Sequence, residues 1–421
     1  MFNRTASRGG SHITTLRMKK ILVLTNVYPA SDLPSTATPV VHYFVKEWIP
    51  MGYDVRVVHY KSAFPDLMVK MAKFLMKFIK INTTFVLSPV IVRDREYEID
   101  GVKVKRIMIP KVRPHTLFKQ KHVSLAIEKT TSYLDGESFV PDVILSHWAN
   151  PQLEIMRTLK KKYDCRTCYI AHSDKEINVY GNRLEPLLND IDLIGFRSDY
   201  ICRMFLKTHK WDKPSFYCYS GIPESFVDPN RKKTFDSIKN FVYVGTLISR
   251  KYPSAIIPSL AKVYGSEDFS LSYIGEGNER PSIEKTAMAC GVSERVHLLG
   301  RIPRTKVVEQ LDKNDVFVMI SKGETFGLVY LEAMARGCIT IASKCEGFDG
   351  IIQNGVNGFL CEAGNSDELA EIIMKIRNLN EDELQRISDN AIKTSCELTD
   401  VRAAKTYIEN IMKLSESAYN Q

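Results

Sequence analysis

Gly323–Gly337, with the sequence GETFGLVYLEAMARG, is the segment from which most of the predicted architecture follows. Gly327 stands where a loop should turn into a helix, because residues 328–336 are mostly good helix formers and include no proline. Gly337 follows as a helix stop. The first turn of such a helix carries free backbone N–H groups and the positive end of the helix dipole, and glycine allows close approach to the backbone. The stretch therefore predicts a phosphate-binding site where its helix begins.

Two acidic residues, Glu324 and Glu332, lie on either side of that helix start with seven residues between them. Glu332 falls in the second turn, where a carboxylate can accept hydrogen bonds from a sugar diol, and Glu324 lies on the loop before the helix. Two glutamates at arbitrary spacing are usually solvated surface acids. Here apolar runs at 316–320 and 339–341 predict a strand on each side, and in such units ligands bind at the carboxyl ends of the strands. We therefore interpret both glutamates as ligand-binding residues.

The pattern E-T-F-G-L-x-x-L-E-A-M-A-x-G, which contains this spacing, resembles the signature of the group 1 (family 4) retaining glycosyltransferases. The resemblance covers most of residues 18–420 and is stronger in the second half of the chain. It implies an α/β structure with the GT-B fold, in which two Rossmann-like domains face a cleft and a C-terminal helix crosses back to the first domain. The implied reaction transfers a sugar from a nucleotide-diphosphate sugar to an acceptor hydroxyl with retention, in polysaccharide, lipopolysaccharide or glycolipid assembly.

The resemblance also assigns roles to single residues. It implies that Glu332 holds the ribose hydroxyls and that Glu324 and His172 contact the donor sugar. Arg250 and Lys251 follow a predicted strand, and two cations in that place can neutralise a diphosphate. The catalytic candidates are therefore Glu324, His172, Arg250 and Lys251. The other predicted nucleotide-binding residues form the turns after the strands and the start of the helix: Gly245, Gly275, Phe326, Gly327 and Leu328.

Two histidines, His147 and His172, end successive predicted strands of the first half. A lone histidine is more often structural, but two at successive strand ends favour the ligand crevice of a parallel sheet. The chain departs from the family pattern at two places. Thr246 replaces an arginine, and the family's glycine pair in the first loop falls near Ser35–Thr36.

The domain prediction follows the changes in composition along the chain. The polar first residues lack the apolar core of a secretory signal and predict a disordered tail or an upstream start codon. The predicted units are a tail at 1–17, an acceptor- and membrane-facing domain at 18–223, a linker at 224–239, a nucleotide-sugar-binding domain at 240–395 and a returning helix at 396–421.

Charge is distributed unevenly between the halves. The whole chain carries a net charge of +9, with +13 in residues 1–220 and −4 in residues 221–421. This asymmetry predicts an anionic partner for the first half, and nucleic acid is not expected because no nucleic-acid-binding motif is present. Leu67–Ile81 carries lysines at 70, 73, 77 and 80 on one helical face, and apolar residues fill most other positions. It predicts an amphipathic helix on an anionic membrane surface, and the alternative is a core helix with a solvated lysine stripe.

The nine scattered cysteines and the absence of a visible signal peptide predict reduced thiols in the cytoplasm, with the protein peripheral on the inner face of the cytoplasmic membrane. No run of 18 apolar residues predicts a membrane-spanning helix. Cys165 and Cys168 form a lone CxxC, for which buried core cysteines are the better interpretation.

No cofactor or metal is expected, because the one Asp-x-Asp, Asp190–Asp192, runs into the start of a strand and away from its carboxyl end. Two alternatives to a transferase stay open. One is a sugar-nucleotide epimerase that uses the same nucleotide pocket, and the other is a catalytically idle, membrane-bound partner in polysaccharide assembly.

Overall fold

A computed structural model describes residues 19–33, 38–65, 93–111, 113, 116–173 and 178–416. The predicted tail 1–17, the Ser35–Thr36 position and the predicted membrane segment Leu67–Ile81 lie outside these residues. Within the described ranges, no helix combines the length and the apolar character needed to cross a bilayer. The described residues form two separate sheets flanked by helices.

The first sheet has eight strands in the order β3-β4-β2-β1-β5-β6-β7-β8, and only the β3–β4 pair is antiparallel. That pair is a hairpin, in which Asp100 and Gly101, a dipeptide typical of such turns, form a two-residue turn with φ of 48° and 75°. The strands are β1 Lys20–Thr25, β2 Asp54–Ala63, β3 Arg95–Ile99, β4 Val102–Pro110, β5 Val143–His147, β6 Arg166–Ala171, β7 Leu193–Phe196 and β8 Ser215–Tyr217. The helices are α1 Val40–Trp48, α2 Gln120–Gly136, α3 Gln152–Tyr163, α4 Leu184–Leu188 and α5 Asp199–Thr208.

The second sheet has six strands, all parallel, in the order β11-β10-β9-β12-β13-β14. Its strands are short and almost wholly apolar, as expected when helices cover both faces. The strands are β9 Asn240–Val244, β10 Ser270–Ile274, β11 Val296–Gly300, β12 Val316–Val318, β13 Ile339–Ser343 and β14 Phe359–Cys361. The helices are α6 Ile256–Tyr264, α7 Arg280–Ala289, α8 Arg304–Lys313, α9 Leu328–Ala335, α10 Ser366–Arg377, α11 Glu381–Glu397 and α12 Asp400–Glu416.

Each sheet reverses its winding direction once. In the first sheet the chain moves from β1 towards β2 and later continues on the opposite side with β5. In the second it moves from β9 through β10 to β11 and then returns to β12 on the other side of β9. Loops that leave the carboxyl ends of strands on either side of such a reversal point diverge and leave a crevice, where ligands bind. The β1/β5 and β9/β12 ends are therefore the expected binding crevices.

Helix α12 crosses back and packs on α1 of the first domain, as predicted for the returning helix. The Trp48 indole donates a hydrogen bond to the carbonyl of Ala404 at 2.9 Å. The segment after β8 crosses the segment just before α12. A Cβ on Gly221 would lie 2.2 Å from the carbonyl carbon of Thr399, so this crossing requires glycine. The helix begins at Asp400, and the predicted boundary at 395–396 falls within α11.

The predicted linker 224–239 packs on the second sheet in its later half. Phe235 and Ile238 are buried in the core around that sheet. Lys233 is also buried, and its ammonium donates to the carbonyls of Asp312 and Asn314 at 2.7 Å each. These backbone acceptors satisfy the buried charge without a carboxylate.

Candidate functional site

Glu324, Lys251 and Arg250 meet at the β9/β12 reversal point. The Lys251 ammonium lies 3.0 Å from Oε2 of Glu324, and Nη1 of Arg250 lies 3.9 Å from the same oxygen. Arg250 also donates to the carbonyls of Lys322 and Gly323, at 3.2 Å each, and so attaches the β9 loop to the β12 loop. Oε2 of Glu324 is buried, and the Lys251 ammonium beside it compensates its charge. A ligand that draws Lys251 away would leave this oxygen in need of another hydrogen-bond donor.

Helix α9 begins at Gly327, as the sequence predicts. Gly327 has φ of 84°, a left-handed conformation that favours glycine. A Cβ at this position would lie 2.6 Å from the ring of Tyr330. Tyr330 is buried, and its hydroxyl donates to the carbonyl of Met319 at 2.7 Å, so the ring has little freedom to move. The sharp turn that exposes the first N–H groups of the helix thus depends on glycine.

The glycines after β9 and β10 are in backbone contact. Gly275 has φ of 141°, and a Cβ on it would lie 2.0 Å from the carbonyl oxygen of Gly245. A Cβ on Gly277 would lie 2.1 Å from the carbonyl oxygen of Leu247. The two predicted nucleotide-binding glycines are therefore neighbours at the carboxyl edge, next to the loop that carries Lys251.

Glu346, which is not among the predicted site residues, supports the loop that carries Glu324. Its Oε2 accepts hydrogen bonds from the backbone N–H groups of Gly323 and Glu324, at 2.7 and 3.0 Å. Burial raises the pKa of Glu346, and the two N–H donors oppose that effect. A Cβ on the adjacent Gly347 would lie 2.3 Å from the carbonyl oxygen of Glu324. Its position after the predicted strand at 339–341 was the available signal.

Glu332 is buried and is paired with Arg304, another residue that the sequence analysis missed. Nε and Nη2 of Arg304 donate to Oε1 of Glu332 at 3.0 and 2.5 Å. Burial raises the pKa of Glu332, and the adjacent guanidinium opposes the shift. Arg304 packs on the ring of Phe226, with 4.7 Å between the guanidinium carbon and the ring centroid. The arginine is the first residue of α8, which follows β11 at the same sheet edge.

His172 belongs to a buried chain of polar groups at the carboxyl edge of the first sheet. Its Nε2 lies 3.0 Å from Nδ1 of His147, and Nε2 of His147 lies 3.2 Å from the hydroxyl of Tyr407 on α12. The Trp148 ring stacks on His172 with 4.0 Å between centroids and an interplanar angle of 13°. One proton lies between the two histidines, and one lies between His147 and Tyr407. The tautomer of one histidine therefore sets the tautomer of the other. The sequence placed the two histidines together but gave no sign of Tyr407.

Arg197 is buried beside this chain, at the end of β7. Its Nη1 donates to the carbonyl of Cys218 at 2.7 Å, and its Nη2 donates to the Ser220 hydroxyl. Burial lowers the pKa of His147 and of His172 well below the ordinary value, and the Arg197 charge lowers both further. Both histidines are therefore neutral at physiological pH.

Phe326 and Leu328 flank Gly327, and both side chains pack against other residues of the protein. The buried Phe326 ring lies 5.7 Å from the ring of Tyr219 and 5.8 Å from the guanidinium of Arg197, so it contacts the first domain. Leu328 packs against the core of the second. These contacts place the start of α9 against the first domain.

The two aspartates of the Asp-x-Asp lie at the amino end of β7, where each forms an ion pair. The Lys160 ammonium lies 2.8 Å from Oδ1 of Asp192, and Nε of Arg157 lies 2.8 Å from Asp190. Cys165 and Cys168 are buried free thiols. In the parts of the chain that the structure describes, no three histidine, cysteine or acidic side chains are arranged to hold a metal ion.

Replacing Gly327 by alanine should destabilise the protein more than replacing Gly323 by alanine. Both glycines have positive φ, but a Cβ on Gly323 meets nothing within 4 Å, whereas one on Gly327 collides with Tyr330. Gly323→Ala should therefore lower the free energy of unfolding by only about 1–2 kcal/mol, the cost of left-handed backbone. Urea denaturation of the two variants measures the difference. Equal losses would show that the contact with Tyr330 relaxes without cost.

The neutral histidines should make stability depend on pH. As the pH falls through about 6.5, the unfolded chain protonates His147 and His172 while the folded chain does not, so the free energy of unfolding should decrease towards pH 5. The double variant His147→Gln/His172→Gln should show a smaller decrease. Urea denaturation at several pH values tests this, with exposed His297→Gln as the control that keeps the wild-type slope. An unchanged slope in the double variant contradicts the expectation.

Comparisons with known proteins agree with this architecture. Residues 227–394 match the protein family described as Glycosyl transferases group 1. The N-acetyl-alpha-D-glucosaminyl L-malate synthase of Bacillus anthracis is 31% identical over 292 residues, which are 65% of this chain and 74% of that protein. The match to the relative extends the similarity well beyond the family segment.

Two solved structures share the fold across nearly the whole chain. The apo form of the lipopolysaccharide outer core galactosyltransferase WaaB superposes with a TM-score of 0.66 at 16% identity, covering 94% of this chain and 99% of that one. The Anabaena protein Alr3699/HepE, in complex with UDP and glucose, gives a TM-score of 0.62 at 18% identity, covering 94% and 100%. The chain therefore belongs to the group 1 glycosyltransferases and has the GT-B fold, with Glu324, Lys251 and Gly327 at the crevice of its second domain.

Proposed function

We propose that the protein transfers a sugar from a nucleotide-diphosphate sugar to a hydroxyl of a saccharide or glycolipid acceptor, with retention and without a metal ion. The observation that carries this proposal is the position of the Lys251–Glu324 pair beside the start of α9, at the β9/β12 reversal point. A nucleoside diphosphate leaves in this reaction, and its developing charge needs compensation. An ammonium and the first N–H groups of a helix supply that compensation at one place.

The ion pair suggests how the site responds to donor. When a diphosphate enters, Lys251 can turn from Glu324 to the phosphate oxygens, which frees Glu324 to accept hydrogen bonds from the donor sugar. Arg250, which binds the carbonyls of Lys322 and Gly323, keeps the two loops together meanwhile. His172 would contact the sugar from the first domain, and Glu332 would bind the ribose diol. Arg304 would stay on the other side of that carboxylate and keep it ionised.

The neighbours support the donor and acceptor classes in this proposal. The HepE structure is described with UDP and glucose, WaaB as a lipopolysaccharide galactosyltransferase, and the Bacillus anthracis relative as forming a glucosaminyl malate. The last two names indicate acceptors of different chemistry, a lipopolysaccharide and malate. Retention is supported by the Glu–x7–Glu motif, which resembles that of retaining family 4 enzymes. Metal independence is supported by the cations already present around Glu324.

The location of the enzyme is also a proposal. The first half of the chain has a net charge of +13, and the basic amphipathic segment Leu67–Ile81 lies within it. Such a segment would hold the first domain on an anionic membrane surface at the cytoplasmic face, next to a lipid-linked acceptor. The attachment would be peripheral, because it depends on surface charge and shallow insertion.

Donor binding and stereochemistry test the proposal together. Calorimetric titration with UDP-, GDP- and ADP-sugars in the presence of EDTA should identify one donor that binds. Glu332→Gln should weaken that binding by about 1.5–3 kcal/mol, because a ribose hydrogen bond to a charged group is lost. Exposed Glu371→Gln is the matched control and should bind like wild type.

A second variant, at Glu324, separates an effect on donor binding from an effect on catalysis. Glu324→Gln should lower kcat much more than it lowers donor affinity, if its contact strengthens in the transition state. Proton NMR of the fresh product should show the anomeric configuration of the donor, in the absence of metal. An inverted product, activity only after metal addition, or no binding of any nucleotide sugar would contradict the proposal, and interconversion of donor sugars without acceptor would indicate an epimerase.

Tyr407→Phe tests whether the polar chain positions His172. The change removes only the hydroxyl that contacts His147, so kcat should fall by roughly tenfold, while the donor Kd stays the same. Tyr264→Phe is the matched control, because its buried hydroxyl donates to the carbonyl of Ile238 in the second domain and has no contact with the histidines. Both variants should lose about 0.5–1.5 kcal/mol of stability. If the two variants have the same kcat, Tyr407 has a structural role alone.

A further inference from the structure

The loop after β4 is strongly basic and lines a cavity. Residues 111–121 contain four lysines and arginines and no aspartate or glutamate. The described residues between Pro110, the end of β4, and His122 line a half-open cavity of about 370 Å³. Its cationic lining residues are Lys111, Arg113 and Lys119, and Leu117 and Phe118 provide an apolar wall. The cavity therefore combines concentrated positive charge with a partly apolar surface.

Within the described ranges, the three cavity cations have no carboxylate partner, unlike the cations just before them in the sequence. Lys103, Lys105 and Arg106 pair with Glu137, Glu96 and Asp32, respectively. Among the described residues, none of the three cavity cations forms an ion pair with a carboxylate. Lys111 is half-buried, and burial lowers its pKa because the ammonium is not fully hydrated.

The cavity opens at the same sheet edge as His172. Because Pro110 ends β4, the cavity lies at the carboxyl edge, and β4 is four strands away from β6 in the sheet order. At about 4.8 Å per strand this places the cavity roughly 19 Å from the end of β6. The loop then turns towards that end, since Asn150, just after His147 and Trp148, donates to the carbonyl of Thr116 at 2.9 Å. An extended acceptor can bridge this separation.

We propose that this cavity binds a phosphate group of the acceptor and so holds the acceptor on the first domain. The inference rests on the proposed transfer to an acceptor hydroxyl. A single carboxylate would leave two of the three cations uncompensated, whereas a phosphate monoester carries almost two negative charges and three oxygens that accept hydrogen bonds. Arg113 can bind two of these oxygens at once, and the lysines act as point charges. The Lys111 ammonium, which lies 4.1 Å from the centroid of the Phe118 ring, is held at the apolar wall.

Inorganic phosphate is the probe for this site. Calorimetric titrations at low ionic strength, with and without saturating UDP, compare wild type with Lys111→Gln/Arg113→Gln/Lys119→Gln. The matched control is Lys161→Gln/Arg166→Gln/Lys207→Gln, which removes the same charges from cations elsewhere on this domain that have no ion-pair partner among the described residues. Wild type and control should bind phosphate equally, and the cavity variant at least about tenfold more weakly, because charge-assisted hydrogen bonds are lost.

Two further arms distinguish the source of the phosphate. Glucose 6-phosphate represents a soluble acceptor, and phosphatidylcholine vesicles with and without phosphatidic acid represent a lipid headgroup. Vesicle flotation that weakens only in the cavity variant indicates a lipid phosphate, and vesicle binding that all three proteins share assigns the cavity to a soluble acceptor. Equal phosphate affinity in the cavity and control variants, or no phosphate binding by wild type, would overturn the site. UDP affinity is measured in all three proteins, so that failure of the proposed donor chemistry is separate from failure of the phosphate site.

Discussion

Direct backbone contact between loops at the carboxyl edge of the second sheet fixes the geometry of the candidate site. The β10 loop lies on the β9 loop through Gly275, and the β13 loop lies on the β12 loop through Gly347. A side chain at either position would occupy the space of a neighbouring backbone atom, within 2.0 and 2.3 Å. Gly327 adds a third constraint of the same kind at the start of α9. Since loops packed in this way cannot move independently, the charges they carry are held at defined positions.

Opposite charges within the site neutralise one another before any ligand binds. Lys251 pairs with Glu324, and Arg304 pairs with the buried Glu332. A buried carboxylate without a partner would be costly, so each cation offsets part of the cost of burying its acid. The two pairs differ in how many nitrogen atoms contact the carboxylate oxygen. A single ammonium, that of Lys251, lies 3.0 Å from Oε2 of Glu324, whereas Arg304 binds Oε1 of Glu332 through two nitrogens.

The last helix, α12, follows the second domain and contacts the first domain both through packing and through a hydrogen bond. Helix α12 packs on α1 through Trp48, and its Tyr407 hydroxyl reaches His147 and, through it, His172. The neutral state of these histidines follows from burial and from Arg197, so they can act as hydrogen-bond donors and acceptors but not as charges. Phe326, just before the start of α9, packs on the same arginine. Movement of one domain against the other would therefore change the surroundings of His172 and of the α9 start at the same time.

Local chemistry in the sequence was enough to predict the α/β architecture, the β3–β4 turn, the start of α9 at Gly327 and the strand-end positions of Glu324, Lys251 and His172. These features depend on residues within a few positions of one another, where helix propensity, turn preference and apolar runs act directly. The pairs that complete the site come from different elements: Arg304 with Glu332 over 28 residues, Glu346 with the Glu324 N–H over 22, and Tyr407 with His147 over 260. Strand order, the reversal points and the return of α12 bring these residues together, and no local pattern encodes that order. The element types and the strand-end positions of the candidate residues thus follow from local sequence. Which cation pairs with which acid follows from tertiary packing, because it depends on contacts between segments far apart in the chain.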